Sequence, residues 1–457
     1  MNKRLFSRRG FLWFSAAGLG AALLAACQPQ VIRETVIVEK PIEKVVEKAV
    51  TNTPVPKERP VVKFMVPGTP TEDADFAPVF EEFAKRWPEI DARYTPAGTG
   101  YGSAYDDKVL TMLAGGVLPD VFKSLGFFGT FADMGVYVPL DDYVVAYPEI
   151  TEFEDFFEAH LIGCRYKGEL LALPNDGAPI GMWYNVDLYK KAGADLPDWE
   201  TTWGDLLMAA KAITRKEGDL ITHYGVGQPP WLDFVWGNGG RRLNEEGTKC
   251  LLDQPDAVEA FQWMQDLVIK HQVSPGPEAL AEISQGERFQ TGRLGAFFGR
   301  RGSLGGLRSI QDFFFDAAPM PLSPKNKRVT TLGIGRTSIW RGSQHYDEAY
   351  ILTAWVCSRE GQRLRISRGY AHPSRKSSVQ EAWFREYKCE KCASYGVNNS
   401  FAEMLLKGDG VAVPVHPKDA EINRIINTEL DYLWDGSKSA EQFAQDVTAE
   451  VDKIISR

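Results

Sequence analysis

The sequence predicts an α/β chain of more than one lobe, and three observations support this. A chain of 457 residues is too long for one ordinary domain and long enough for two real cores. Residues 61–96 read strand, helix, strand, which implies a parallel α/β unit. Residues 173–214 repeat the theme: an apolar run at 178–184, a polar break at Asn185 and Asp187, then a helix. Thr202 with Asp205 three residues on has the pattern of a capping box, in which hydroxyl and carboxylate satisfy the first free N–H groups.

Residues 1–27 read as a targeting segment that stands outside the fold. Lys3, Arg4, Arg8 and Arg9 precede an apolar run from Phe11 to Ala26, short for a helix that must cross about 30 Å of hydrocarbon. Ser7-Arg8-Arg9-Gly10-Phe11-Leu12 matches the twin-arginine export pattern. Leu24-Ala25-Ala26-Cys27 has the form of a lipobox, whose thiol would accept diacylglycerol. An uncleaved membrane anchor is the alternative, and both readings put the rest of the chain outside the cytoplasmic membrane. Residues 28–60 alternate β-branched residues with Glu and Lys, carry Pro41, Pro54, Pro56 and Pro60, and lack aromatic rings. They read as an extended tether.

Residues 61–66 form the first strand, Pro67-Gly68-Thr69-Pro70 a turn, and Phe76, Val79, Phe80 and Phe83 the apolar face of a helix. A second strand follows at 90–96. The loop Gly98-Thr99-Gly100-Tyr101-Gly102 has the glycines of a phosphate cradle, but its spacing matches neither the dinucleotide nor the P-loop pattern. A helix from Tyr105 ends at Gly115-Gly116, Pro119 blocks its continuation, and Val121-Phe122 lies in a strand. Residues 224–240 are dense in Trp, Asn, Asp and Gly, with few residues for a core helix. An indole stacks on a sugar ring while Asp and Asn exchange hydrogen bonds with its hydroxyls. Trp231, Asp233, Trp236 and Asn238 are therefore candidate ligand contacts; packing of Phe234 and Trp236 in a core on a capped helix is the competing reading. Residues 253–270 read as a helix capped by Asp256, with Val258, Phe261 and Val268 inward. Further helices are expected at 345–361, within 395–434 and at 439–455.

Without the four cations of the targeting segment the net charge falls from −9 to −13, which argues against a nucleic-acid partner. The six histidines show no zinc-type pairing, and no G-x-S-x-G elbow is present. Carboxylates are plentiful enough for a glycosidase pair, but nothing singles one out. The chain reads as a non-enzyme without metal or cofactor. Cys389-x-x-Cys392 fits a local disulfide, a redox pair or half a metal site, with the disulfide preferred outside the cell. Cys164, Cys250 and Cys357 read as packed thiols.

Three runs stand out in order. The first is Leu113-Ala114-Gly115-Gly116 with Pro119-Asp120-Val121-Phe122. The second is Tyr184-Asn185 with Asp187-Leu188-Tyr189, then Pro197 and Thr202-Trp203 with Asp205. The third runs from Phe289 to Gly299, with Leu294 and Gly295 departing from the usual form. Together they resemble the family 1 extracellular solute-binding proteins, the maltose-binding-protein-like receptors of ABC sugar importers. The resemblance spans residues 61–457. It implies a two-lobed periplasmic-binding-protein-like fold of type II, with discontinuous lobes joined by hinge crossings. The first lobe would comprise 61–175 and 319–370, the second 176–318 and 371–457, with crossings near Asp176 and at 317–322.

The same resemblance implies where ligand contacts lie. Ser124, Phe127 and Phe128 follow the third predicted strand, and Asp176 stands at the hinge. His372 and Arg375 lie in a run resembling the family's G-x-x-P-x-R segment, at the cleft rim; Thr69 and Gly333 complete the set. The family's cleft tryptophan is replaced by Gly299-Arg300-Arg301-Gly302-Ser303. Arg301 there either binds hydroxyls or an anionic group, or lies on an exposed loop. The implied function is a monomeric, lipid-anchored receptor on the extracytoplasmic face that binds a sugar or oligosaccharide and delivers it to ABC permease subunits. The alternatives are a receptor for an anionic, glycerol-phosphate-like solute, and a surface carbohydrate-active or ligand-sensing lipoprotein.

Overall fold

Two five-stranded sheets organise the chain. The computed structural model describes residues 58–457 except 368, 370, 395 and 396. The twin-arginine pattern, Cys27 and nearly all of the tether lie outside the described residues. The strands are β1 (Val61–Val66), β2 (Asp91–Pro96), β3 (Val121–Ser124), β4 (Leu173–Ala178), β5 (Ile180–Asn185), β6 (Arg215–Glu217), β7 (Leu220–Val226), β8 (Leu294–Arg300), β9 (Phe315–Ala318) and β10 (Gly333–Ile339). The first sheet has the order β2-β1-β3-β10-β4, the second β9-β5-β8-β7-β6.

The first lobe starts as its sequence dictates. Helix α1 (Pro70–Arg86) is opened by Thr69, whose hydroxyl accepts from the Glu72 amide at 3.2 Å. Its buried Phe76, Val79 and Phe83 pack on β1, which pairs parallel with β2 and β3. Helix α2 (Ser103–Ala114) returns the chain to β3. In the second lobe, α3 (Trp203–Ile213) carries the complete Thr202–Asp205 capping box and buries Leu206, Ala210 and Ile213. Gly225 lets β7 approach α3 closely, since a Cβ there would lie 2.1 Å from the Ala210 carbonyl oxygen.

Several elements differ from expectation. Residues 224–240 contain a helix after all, α4 (Trp231–Gly237), with Phe234, Val235 and Trp236 buried in the second core. Tertiary burial here overrides a composition poor in helix formers. The helix Pro255–Val268 is preceded by Gln254, so Asp256 sits in its first turn rather than capping it. The stretch expected as one helix at 345–361 is two, Tyr346–Cys357 and α5 (Arg359–Ile366), separated by Ser358, which caps the second.

Among the described residues three passages link the two cores, and Ala402 and Leu405 touch the first core again from beyond the third. The first passage is at 178–180, between β4 and β5; it comes just after Asp176, which pairs with Gly335 inside the first sheet rather than opening the second lobe. The second comes at 331–333, later than 317–322, because Leu322 is tied to the second lobe through the Thr201 carbonyl at 2.8 Å and the Trp203 amide at 2.9 Å. The third lies at 384–387, not at 371. Val379 and Phe384 pack in the first core, and Ser374 donates to the Pro174 carbonyl at 2.7 Å, holding this stretch against β4. Beyond it, Cys389 and Cys392 are disulfide-bonded, with Cys392 in the second core. The three remaining described cysteines are buried thiols.

Candidate functional site

The passages identify which ends of the sheets meet. β4 leaves the first sheet at Ala178, its carboxyl end, and β5 enters the second at Ile180. Ile180 pairs with Arg300, the carboxyl end of β8, and β8 is parallel to β7. In the first sheet Ala178 pairs with Gly333, and Ser124 with Arg336, so the carboxyl ends of β1, β3 and β4 share that edge. Ligands of open α/β sheets bind outside the carboxyl ends of the strands. The candidate site is therefore the cleft between the loops after β1, β2 and β3 on one lobe and those after β7 and β8 on the other.

The first lobe builds this end around a lysine. Lys123, on β3, is buried, and its Nζ lies 3.2 Å from Glu72 Oε1 on α1, 2.9 Å from the Tyr101 hydroxyl and 3.7 Å from Asp176 Oδ2 on β4. Arg365, on α5, donates to the same Asp176 oxygen at 2.6 Å, and Tyr101 donates to Glu72 at 2.6 Å. Burial pushes both carboxyls up, but Lys123 with its neighbours outweighs burial and holds Glu72 and Asp176 below the usual range. Tyr101 leaves the glycine loop with its ring 56% exposed, so the cluster anchors one end of an accessible aromatic ring. Asp106, buried on α2, accepts from the Gly126 and Phe127 amides and fixes the loop after β3.

The second lobe builds its end differently. Asp233, near the start of α4, is buried and accepts from the Thr331 amide at 2.6 Å and its hydroxyl at 3.1 Å. Burial raises its carboxyl to about 6, against the pull of Thr331 and Arg300. Arg300 donates to the carbonyls of Ala178 and Thr331. Arg301 is buried, donates to Asn398 Oδ1 at 2.7 Å and to the Ala371 carbonyl, and burial lowers its guanidinium to about 9. Trp231, half-buried, opens α4 just past β7.

The structure gathers only part of the expected ligand set at these ends. Thr69, Phe127, Asp176, Trp231 and Gly333 are half-buried there. Ser124 is buried and bonds Ser338 across the sheet at 2.9 Å, while Phe128 packs under Arg336 in the first core. Asp233 and Arg301 hold the passages. Asn238 is buried and donates to Asp256 and Glu259. His372 packs edge-on to Phe384, with Nδ1 against the Pro373 carbonyl at 2.8 Å. Arg375 donates to the carbonyls of Cys357 and Thr151 inside the first lobe. Trp236 borders a cavity of about 1030 Å³ that also touches Tyr166 and Lys167; none of its walls comes from the strand-end loops. Sequence reasoning missed Glu72, Tyr101, Lys123 and Arg365. The available signal was a lysine inside the apolar run of β3 and a tyrosine among the glycines after β2. Among the described residues no group of three His, Cys, Asp or Glu is placed to hold a metal.

Residues 68–363 match the model of the bacterial extracellular solute-binding proteins. The chain belongs to that family. An arabinooligosaccharide-binding protein of Bacillus subtilis is 25% identical over 205 residues, 44% of this chain and 46% of that protein. The sn-glycerol-3-phosphate-binding periplasmic protein of Escherichia coli is 24% identical over 314 residues, 64% of this chain and 68% of that protein. The ABC substrate-binding protein of Listeria monocytogenes solved with cycloalternan superposes with a TM-score of 0.75 at 20% identity, covering 87% of this chain and all of the other. The two-lobed fold is thus that of the solute-binding receptors, whose members are binding proteins of the extracytoplasmic face.

Proposed function

We propose that this protein is a lipid-anchored receptor that binds a neutral sugar or oligosaccharide between its lobes and delivers it to an ABC permease. The observation that carries the reading is an aromatic ring at the strand ends of each lobe: exposed Tyr101, held by Lys123 and Glu72, and half-buried Trp231. Asp176, half-buried and 3.7 Å from the Lys123 ammonium that bonds Tyr101, adds a hydroxyl acceptor on the first lobe. Aromatic faces flanked by a few fixed polar groups suit a pyranose. Contacts to both lobes favour a closed arrangement, which a permease can distinguish from the open one.

The anionic reading is the weaker. It needs a free cation at the strand ends, and the donors of Arg300 and Arg301 are engaged by hinge carbonyls and Asn398. Lys123 and Arg365, the cations of the first-lobe cluster, are already paired with Glu72 and Asp176. Export as a twin-arginine precursor and acylation at Cys27 complete the proposal. Cys27→Ala should shift the chain from the membrane to the soluble fraction.

A thermal-shift screen of the purified chain tests the ligand class, with neutral oligosaccharides, sugar acids and glycerol 3-phosphate as probes. A ligand at a hundred times its Kd adds about 2.7 kcal/mol. Stabilisation by a neutral saccharide, recovered chemically unaltered, supports the receptor; stabilisation by anions alone overturns the neutral-sugar reading, and turnover overturns the receptor reading.

A further inference from the structure

We propose that the consecutive residues Arg300 and Arg301 form a clasp that holds all three passages between the lobes and sets their resting angle. Arg300 takes the first two. Its Nη1 donates to the carbonyl of Ala178, at the first passage, and to that of Thr331, at the second, the latter at 2.8 Å. The guanidinium lies close against Gly333, where a Cβ would come within 2.7 Å of Nε. Asp233 reinforces the second passage by accepting from the Thr331 amide.

Arg301 takes the third. It donates to the carbonyl of Ala371, before that passage, and to Asn398, beyond it. Asn398 in turn donates to the Phe384 carbonyl at 2.7 Å. The Arg301 guanidinium lies 4.9 Å from the Phe384 ring and 5.5 Å from the Tyr387 ring, the residues on either side of the crossing. Rotation of one lobe against the other changes the backbone at 178–180, 331–333 and 384–387, and therefore strains bonds that all converge on one dipeptide.

Arg300 ends β8, and Arg301 opens the single 3-10 turn Arg301–Ser303 that follows it at the cleft. A solute seated on this strand end bears on the residues that hold the passages. The arginines are positioning residues: they fix the geometry in which both lobes reach the same solute.

The test uses the full chain without added solute, so its result is independent of the sugar reading. Spin labels on Val145→Cys in the first lobe and Leu220→Cys in the second, at sites 79% and 67% exposed, report the inter-lobe distance. The parent should give one population. In Arg300→Gln and Arg301→Gln the fraction outside it should rise about tenfold, a loss of about 1.4 kcal/mol of bias. Arg301→Lys, with one ammonium for two acceptors, should fall between. Distributions that superimpose on the parent in both glutamine variants, with cooperative melting intact, overturn the clasp. If neither glutamine variant folds, Asn398→Ala decides: a smaller shift in the same direction supports the clasp, and an unchanged distribution overturns it.

Discussion

At the end of the first sheet four charges neutralise one another; at the end of the second, three charges lean on neutral partners. Lys123 and Arg365 face Glu72 and Asp176 within hydrogen-bonding range or just beyond it. Asp233, Arg300 and Arg301 instead bond backbone carbonyls, an amide, a hydroxyl and an asparagine. Two aspartates beside the hinge consequently titrate in opposite directions, half-buried Asp176 below the ordinary range and buried Asp233 raised to about 6. Mutual pairing gives a rigid floor on which Tyr101 stands. Bonding to the backbone of the passages makes the second end sensitive to where those passages lie.

The largest expected effect breaks the paired side. Lys123→Met leaves buried Glu72 and half-buried Asp176 with only Arg365 nearby, and should cost about 3–5 kcal/mol of stability, measured by urea unfolding. On the second side Arg301→Gln removes a charge whose partners are neutral; its cost should be nearer 1–3 kcal/mol, roughly the penalty for unsatisfied acceptors. Equal losses would mean that the two ends are held alike.

Acid titration sharpens the contrast. Asp233 binds its proton more tightly folded than unfolded, with a folded value of about 6 against 3.8. Its contribution is full below 3.8 and is lost as pH rises through about 6. Glu72 and Asp176 are shifted downward, so their contribution is present above their ordinary values and is lost as pH falls through their folded ones. Asp233→Asn should therefore remove a downward contribution to the slope of the urea midpoint between about pH 4 and 6, which in the parent opposes the upward contribution of buried His160 and His372. A second downward contribution should persist, because burial also raises Asp106 to about 6. A profile identical to the parent would remove Asp233 from the account. Tyr101→Ala removes the hydroxyl that bonds both Glu72 and Lys123 and should cost about 1–3 kcal/mol of stability.

The order of strands and helices was legible because apolar periodicity and caps are local: β1, α1, β3 and the Thr202–Asp205 box stand where the residues put them. The passages were less so. Leu322 and Ser374 are held by partners at Thr201 and Pro174, and no local pattern reports bonds across 121 and 200 residues. The site divides the same way. Asp176 and Trp231 occupy strand ends that topology alone fixes, whereas Arg375 reads as a rim cation until its carbonyl partners at Cys357 and Thr151 are seen. Lys123 shows the converse: a charge within an apolar strand was visible, and only its partners make it part of the site.

The central claim, that a neutral saccharide sits between the aromatic rings of the two strand ends, is tested most directly by calorimetric titration at low and high salt. The saccharide that stabilises the chain in the screen would be titrated into the parent, Tyr101→Ala and Trp231→Ala. Affinity should fall about tenfold or more in each variant, 1.4 kcal/mol or above, with little dependence on salt. Unchanged affinity in both variants, or binding only of glycerol 3-phosphate with a steep salt dependence, would contradict it.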